Sequence, residues 1–197
     1  MRKKASKAFS KKIAVFCSGN GSNFEAIARF AKQGKLGGEI VLMVCDKPGA
    51  YALTRAKKYA IPSVLLPTNL FPSREDYERA IVKILKNQQV DMIVLAGFMR
   101  ILTPYFIKAY RGRILNIHPS LLPAFKGAHA IKDAFEAGVK ETGASVHLVT
   151  PEVDGGAVLA QSRVKVTSKD DLDSLTKKIH KAEHKLYPTA IRKFVRR

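Results

Sequence analysis

The sequence predicts a single doubly wound α/β domain, a mostly parallel twisted sheet flanked by helices, with an antiparallel hairpin added toward the C-terminal end. Three observations carry that reading. Short apolar, β-branched runs alternate with segments of helical period, the pattern of βαβ units. Two late runs are joined by a glycine-rich turn, which suits a hairpin. The length of 197 residues fits one domain, or a domain with a small extension.

Taken in order, the first strand is expected at 12–17, and it empties into Ser18-Gly19-Asn20-Gly21-Ser22-Asn23. Phe24, Ile27, Ala28 and Ala31 then mark a helix stripe. Strands at 39–45 and 63–66 follow. A second stripe, Tyr77, Ala80, Ile81, Ile84 and Leu85, opens with the capping-box-like Ser73-Arg74-Glu75-Asp76. Strands at 91–95 and 113–117 continue the alternation. Those at 143–150 and 157–166 are joined through Asp154-Gly155-Gly156. The last stripe, Leu172, Leu175, Ile179, Ala182 and Leu186, defines a late helix that Pro188 is expected to end. The domain is expected over 12–190, between a basic N-terminal extension at 1–11 and a basic C-terminal tail at 191–197.

Charge is the conspicuous feature of the composition: 35 Lys and Arg stand against 16 Asp and Glu, a formal charge of +19. Such an excess suits nucleic acid, an anionic membrane surface or a phosphorylated small molecule. Its distribution narrows the choice. Ten of the basic residues lie within 1–12 and 191–197, where there is no acid, so the body is only moderately basic. The basic residues are not interleaved with stacking aromatics, which argues against a specific nucleic-acid surface. At 46% hydrophobic, the chain can bury a core and is too apolar for general disorder. No apolar run approaches the roughly 18 residues of a membrane span. The run after the basic start is too short for an export signal, so a cytoplasmic protein is expected. Cys17 and Cys45 end apolar runs and form neither a CxxC pair nor a metal-ligand spacing, which speaks against a disulfide framework or a metal site.

Three segments hold chemistry-bearing residues. In Ser18–Asn23, glycines allow a sharp turn and close approach, and the amides opening the helix suit a phosphate. The loop is neither GxGxxG nor a Walker loop, so no dinucleotide or nucleoside triphosphate is indicated. In Asn116-Ile117-His118-Pro119-Ser120-Leu121-Leu122-Pro123, strand alternation places Asn116 and His118 on one side. An amide donor beside an imidazole that titrates near neutrality suits a developing oxyanion. Asp154, if its loop folds over His118, can orient the ring and assist proton removal. Val94–Leu102 adds Phe98, Met99, Ile101 and Leu102 beside Arg100, which can line a slot for a flat ring.

Together, Ser18–Asn23, Leu95-Ala-Gly-Phe-Met-Arg-Ile-Leu102, Asn116–Pro123, and Val146-His147 with Asp154-Gly-Gly156 resemble the phosphoribosylglycinamide formyltransferases in order and spacing, over about residues 12–190. The resemblance implies a Rossmann-like formyltransferase domain that transfers the formyl group of 10-formyltetrahydrofolate to the amine of glycinamide ribonucleotide, in purine (IMP) biosynthesis. It implies a catalytic set of Asn116, His118 and Asp154. Phosphate contacts fall to Gly19, Asn20, Gly21, Ser22 and Asn23, and ribose or glycinamide contact to Glu183. Folate contacts are implied at Arg74, Met99, Arg100, Ile101, Leu102, Val149 and Val153, with weaker roles for His129 and Lys126. Lys126 stands where the family commonly has proline. Formyl folate is the implied cosubstrate, with no metal. Expected partners are the two small molecules, with no specific nucleic acid or membrane, in a monomer or weak homodimer. Relatives that formylate methionyl-tRNA or hydrolyse formyl folate carry added domains, for which this chain leaves no room.

Overall fold

In a computed structural model, residues 11–197 are described; of the expected N-terminal extension, only Lys11 falls among them. Seven strands and six helices follow in the order β1 (Lys11–Cys17), α1 (Ser22–Lys32), β2 (Gly38–Cys45), α2 (Tyr51–Lys58), β3 (Ser63–Leu65), α3 (Arg74–Asn87), β4 (Met92–Leu95), α4 (Pro104–Ala109), β5 (Ile114–His118), α5 (Ala130–Glu136), β6 (Glu141–Leu148), β7 (Val158–Lys165) and α6 (Leu172–Val195). All seven predicted strands are present, within about two residues of the expected bounds. The short helices α2, α4 and α5 were not read from the sequence.

The strands form one sheet in the order β3-β2-β1-β4-β5-β6-β7. Pairing is parallel from β3 through β5. It turns antiparallel at β5–β6 and β6–β7, the expected hairpin. The central strands β1 and β4 are wholly buried over Ile13–Cys17 and Met92–Leu95, as strands covered on both faces must be. Alternate residues serve opposite cores. Val15, Val94, Leu115 and Ile117 join the helices α1 and α6 on one face, with Phe24, Ile27, Tyr187 and Ile191. Phe16, Ile93, Leu95 and Ile114 pack on the other against Tyr77, Ile81, Leu85 and Phe106 of α3 and α4.

The strand order reverses between β1 and β4, because the chain runs outward through β2 and β3 and then returns to β1's other side. Ligands in such sheets bind outside the carboxyl ends at that point. There the Ser18 amide donates to the Gly97 carbonyl at 3.0 Å, so the loops after β1 and β4 are joined where the crevice opens.

Two expectations are corrected at the C-terminus. Pro188 lies inside α6 and does not end it, and residues 191–195 are helix rather than tail. An interior proline costs a helix roughly 3 kcal/mol through its missing N–H and its ring. Burial of Tyr187, Ala190, Ile191 and Val195 in the core shared with the sheet and α1 outweighs that cost. The α6 start is capped reciprocally, the Asp171 carboxylate accepting from the Ser174 amide at 2.7 Å and the Ser174 hydroxyl from the Asp171 amide at 3.0 Å. The Tyr187 hydroxyl donates to the carbonyls of Leu95 and Leu115 at 2.8 and 3.1 Å, tying α6 to β4 and β5 beneath the site. Cys17 and Cys45 are buried free thiols, and burial raises both pKa values.

Candidate active site

The site is built on β5 and β6. Leu115 and Ile117 face α1 and α6, so Asn116 and His118 project to the opposite face. The register places Asn116 opposite His147 and His118 opposite Ser145. All four therefore share one side of the sheet.

Asp154 reaches this group from the loop between β6 and β7. One carboxylate oxygen, Oδ2, accepts from the Gly127 amide at 2.9 Å and lies 3.4 Å from His118 Nδ1, while Oδ1 lies 3.4 Å from His147 Nε2. Burial by itself would raise the Asp154 pKa. Hydrogen bonds from His147 and Gly127, and the nearby charge of His118, outweigh burial and hold it below the usual carboxylate value. Asp154 has φ 51°, a left-handed conformation unusual for a non-glycine residue and of the kind concentrated at functional sites. The loop closes tightly: a Cβ on Gly156 would sit 1.8 Å from the Leu148 carbonyl oxygen, so only glycine fits there.

Both histidines are fixed at their far nitrogens. His118 Nε2 donates to the Phe125 carbonyl at 2.7 Å. With Nδ1 facing Asp154, both of its nitrogens look at hydrogen-bond acceptors. His147 Nδ1 donates to the Leu148 carbonyl at 2.9 Å. Its Nε2 therefore accepts from Asn116 Nδ2, at 3.1 Å, when the ring is neutral, and donates to Asp154 when it is charged. With the ring neutral, the Asn116 amide is held by a neighbour whose own orientation is fixed.

The loop after His118 is pinned from β6 and β7. Ser145 Oγ accepts from the Leu122 amide at 3.0 Å and donates to the Ser120 carbonyl at 2.6 Å, and Gln161 Nε2 donates to the Leu122 carbonyl at 2.9 Å. That fixed loop brings Phe125 and Gly127 to His118 and Asp154. Lys126 pairs with Glu152 at 2.8 Å, both side chains well exposed, which links this loop to the Asp154 loop at the surface.

Beyond the sheet's switch point, Gly19 and Asn20 are exposed at the mouth of the first loop, while Gly21 and Asn23 are buried. Gly21 sits at φ 73°, and a Cβ there would lie 2.7 Å from Ala52 Cβ. The Asn23 amide and the half-exposed His180 Nδ1 both donate to Glu183 Oε2 at 2.9 Å, which joins this loop to α6. Met99 and Ile101 are exposed despite their size, 74% and 62%, and Val153 is 45% exposed. The backbone of their loop is nonetheless held: the Met99 amide donates to Ser18 Oγ at 2.9 Å, and the Thr103 amide to the buried Glu78 at 2.9 Å.

A family model described as formyl transferase matches residues 11–191. The chain is 43% identical to the phosphoribosylglycinamide formyltransferase of Bacillus subtilis over 185 residues, covering 94% of this chain and 95% of that one. It is 44% identical to the Escherichia coli protein of the same name over 179 residues, 91% of this chain and 84% of that one. The crystal structure of the Bacillus halodurans phosphoribosylglycinamide formyltransferase superposes with a TM-score of 0.91 at 46% identity, covering 94% and 95% of the two chains. The chain belongs to the formyl transferase family.

Of the residues expected in this formyltransferase's site, the structure brings Asn116, His118 and Asp154 into one cluster, and gathers Gly19, Asn20, Gly21, Ser22, Asn23 and Glu183 into a second. Met99, Arg100, Ile101 and Val153 form exposed or half-exposed borders, with the Arg100 guanidinium 5.4 Å above the Tyr77 ring. Leu102 is buried in the α3–α4 core and Val149 packs against it, so neither offers its side chain to an open surface. Arg74 is exposed at the start of α3. His129 is exposed at the start of α5 and makes no side-chain hydrogen bond there.

Sequence reasoning did not single out Ser145, and it quoted His147 only within a motif, with no role assigned. Both had a signal: polar residues at 145 and 147 alternate with the apolar Ala144, Val146 and Leu148, marking a polar face on β6.

Proposed function

We propose that the Asn116–His118–Asp154 cluster transfers the formyl group of 10-formyltetrahydrofolate to the amine of 5'-phosphoribosylglycinamide. The observation that carries this reading is the Asp154 carboxylate set between two histidines at 3.4 Å each, with Asn116 held against one of them. Formyl folate, when bound, supplies the formyl carbon. The exposed apolar side chains of Met99, Ile101 and Val153 on braced backbone suit a flat ring, with Arg100 and Arg74 available to its anionic tail. The ribonucleotide phosphate is assigned to the amides and side chains of Gly19–Asn23, and Glu183 to the ribose or glycinamide part.

In this reading His118 Nδ1 stays with Asp154, and Nε2 moves from the Phe125 carbonyl to the formyl oxygen as charge develops on it. The second hydrogen of Asn116 Nδ2 supplies the other donor, the first being committed to His147. Two fixed donors aimed at a developing oxyanion are the largest single contribution such a site can make. Asp154 holds the imidazolium in charge and orientation. Its Oδ1, less committed than Oδ2, takes the proton shed as the amine bonds to the formyl carbon; that proton passes to the folate nitrogen as its bond to the formyl carbon breaks, and tetrahydrofolate leaves.

The test offers glycinamide ribonucleotide, methionyl-tRNA and water as competing formyl acceptors. The expected outcome is transfer to the ribonucleotide. Preference for tRNA, or hydrolysis of the folate faster than transfer, would sink the reading. A cytoplasmic setting and a monomeric or weakly dimeric state belong to the same proposal. Among the described residues no helix is long and apolar enough to cross a membrane.

A further inference from the structure

The phosphate-loop asparagine, Asn20, is held by a residue that the reading above does not use. Arg55, on α2, donates from Nε to the Asn20 backbone carbonyl at 2.9 Å and from a terminal nitrogen to Asn20 Oδ1 at 3.0 Å. Its other terminal nitrogen pairs with Glu25 on α1, and the guanidinium lies 4.8 Å from the Tyr51 ring centroid. Glu25 is anchored in turn by Lys58 at 2.7 Å and the Tyr59 hydroxyl at 3.4 Å. The Arg55 side chain is 17% exposed, and each of its three nitrogens has a partner. Next to it, the Ala52 amide donates to the Gly19 carbonyl at 3.1 Å, so α2 is docked on the loop at two points.

The chemistry of the pair decides what the loop presents. A primary amide can offer either its oxygen or its NH2 to a ligand, and the two orientations differ by a half-turn of the side chain. Guanidinium has donors and no acceptor, so it engages only the oxygen. With Oδ1 taken by Arg55, Nδ2 of the exposed Asn20 is left as a donor for a ligand. A phosphate, which accepts and does not donate, needs that orientation and is repelled by the other. We propose that Arg55 is a positioning residue for substrate phosphate: it locks the Asn20 amide donor-outward and braces the loop carbonyls away from the anion.

This proposal rests on the assignment of Gly19–Asn23 to phosphate. Its test is therefore read by binding as well as turnover, with ribose 5-phosphate as the calorimetric probe. Arg55→Ala is expected to weaken probe binding and raise KM for the ribonucleotide by about tenfold, with kcat and the KM for folate changed less than about twofold. That is what losing one hydrogen bond to a charged group of roughly 1.4 kcal/mol implies. Arg55→Lys, which keeps the charge but not the fork, is expected to recover only part. Asn20→Asp keeps the Arg55 contact and turns an acceptor outward, so it should weaken probe binding at least as much. The deciding measurement is the double-mutant cycle. If Arg55 acts through Asn20, Arg55→Ala has little further effect in an Asn20→Ala background. An equal cost in both backgrounds would overturn the proposal in favour of direct charge attraction, and so would unchanged probe binding in Arg55→Ala. Absence of formyl transfer by the unaltered enzyme, with probe binding and the cycle as expected, would overturn the assigned reaction and leave the role of Arg55 standing.

Discussion

At the scale of single residues, the site separates groups that react from groups that aim them. In the proposed mechanism, removing His118 deletes one donor to the oxyanion, and Asp154→Asn removes the carboxylate charge that faces it. Each is expected to lower kcat by about 10²–10⁴-fold, the usual worth of a positioned acid or base. Circular dichroism should show both variants folded. Asp154 also leaves a signature in pH. Its folded pKa is depressed, so its contribution to stability is present above the unfolded value of about 3.9 and is lost as pH falls through the lower folded value. His180 behaves in the opposite sense. Its hydrogen bond to Glu183 raises its pKa, partly opposed by burial. The stabilisation is therefore complete below about pH 6.5 and disappears as pH rises through the raised folded value. Comparing melting temperatures of the unaltered protein and His180→Gln across pH 5–9 tests this; a difference that grows toward alkaline pH would contradict it.

At the scale of elements, the loops that carry the proposed site leave buried, rigid strands. The β1 loop shows the dependence. Gly21 is left-handed, and its missing side chain makes room for Ala52 of α2. Gly21→Ala must either strain the backbone or push α2 away, which costs about 1–3 kcal/mol. It should also raise KM for the ribonucleotide well above any change in the KM for folate. Chemical denaturation and the two KM values check both halves. The histidine strand was legible in sequence because alternation alone puts Asn116 and His118 on one side. The contact of Asp154 with His118 was not, since 36 residues of chain separate them. Only the antiparallel pairing of β5 with β6 brings its loop within reach, helped by a glycine that admits a carbonyl at close range. The helices α2, α4 and α5 escaped notice for another reason. At six to eight residues they show barely two turns of any stripe, and tertiary contacts rather than periodicity hold them.

At the scale of the whole molecule, the C-terminal segment is part of the fold. Ile191 and Val195 are buried in the core shared by β1, β5 and α1, although the sequence around them is strongly basic. Ile191→Ala is expected to cost about 2–5 kcal/mol. Truncation after residue 190 should cost more. Neutralising the exposed Arg196 and Arg197 should change stability by less than about 0.5 kcal/mol. Urea titrations of the three variants separate core from charge, and near-equal midpoints would show the segment to be a tail after all. The net charge of +19 is shared among such exposed side chains, residues 1–10 and arginines such as Arg74 and Arg100. It suits attraction of two anionic small molecules without specifying either.

By itself, the sequence determined the order of the strands, the three long helices, the sheet's antiparallel ending and the motifs that carry Asn116, His118 and Asp154. These depend on local periodicity, on turn chemistry and on motifs a few residues long. Tertiary structure alone decided that α6 runs through Pro188, that His147 stands opposite Asn116, and that Arg55 grips Asn20 in the loop after β1 from another helix. Each of those rests on contacts between residues distant in the chain. There the free energy of packing and of buried hydrogen bonds overrides the local preference that sequence can display.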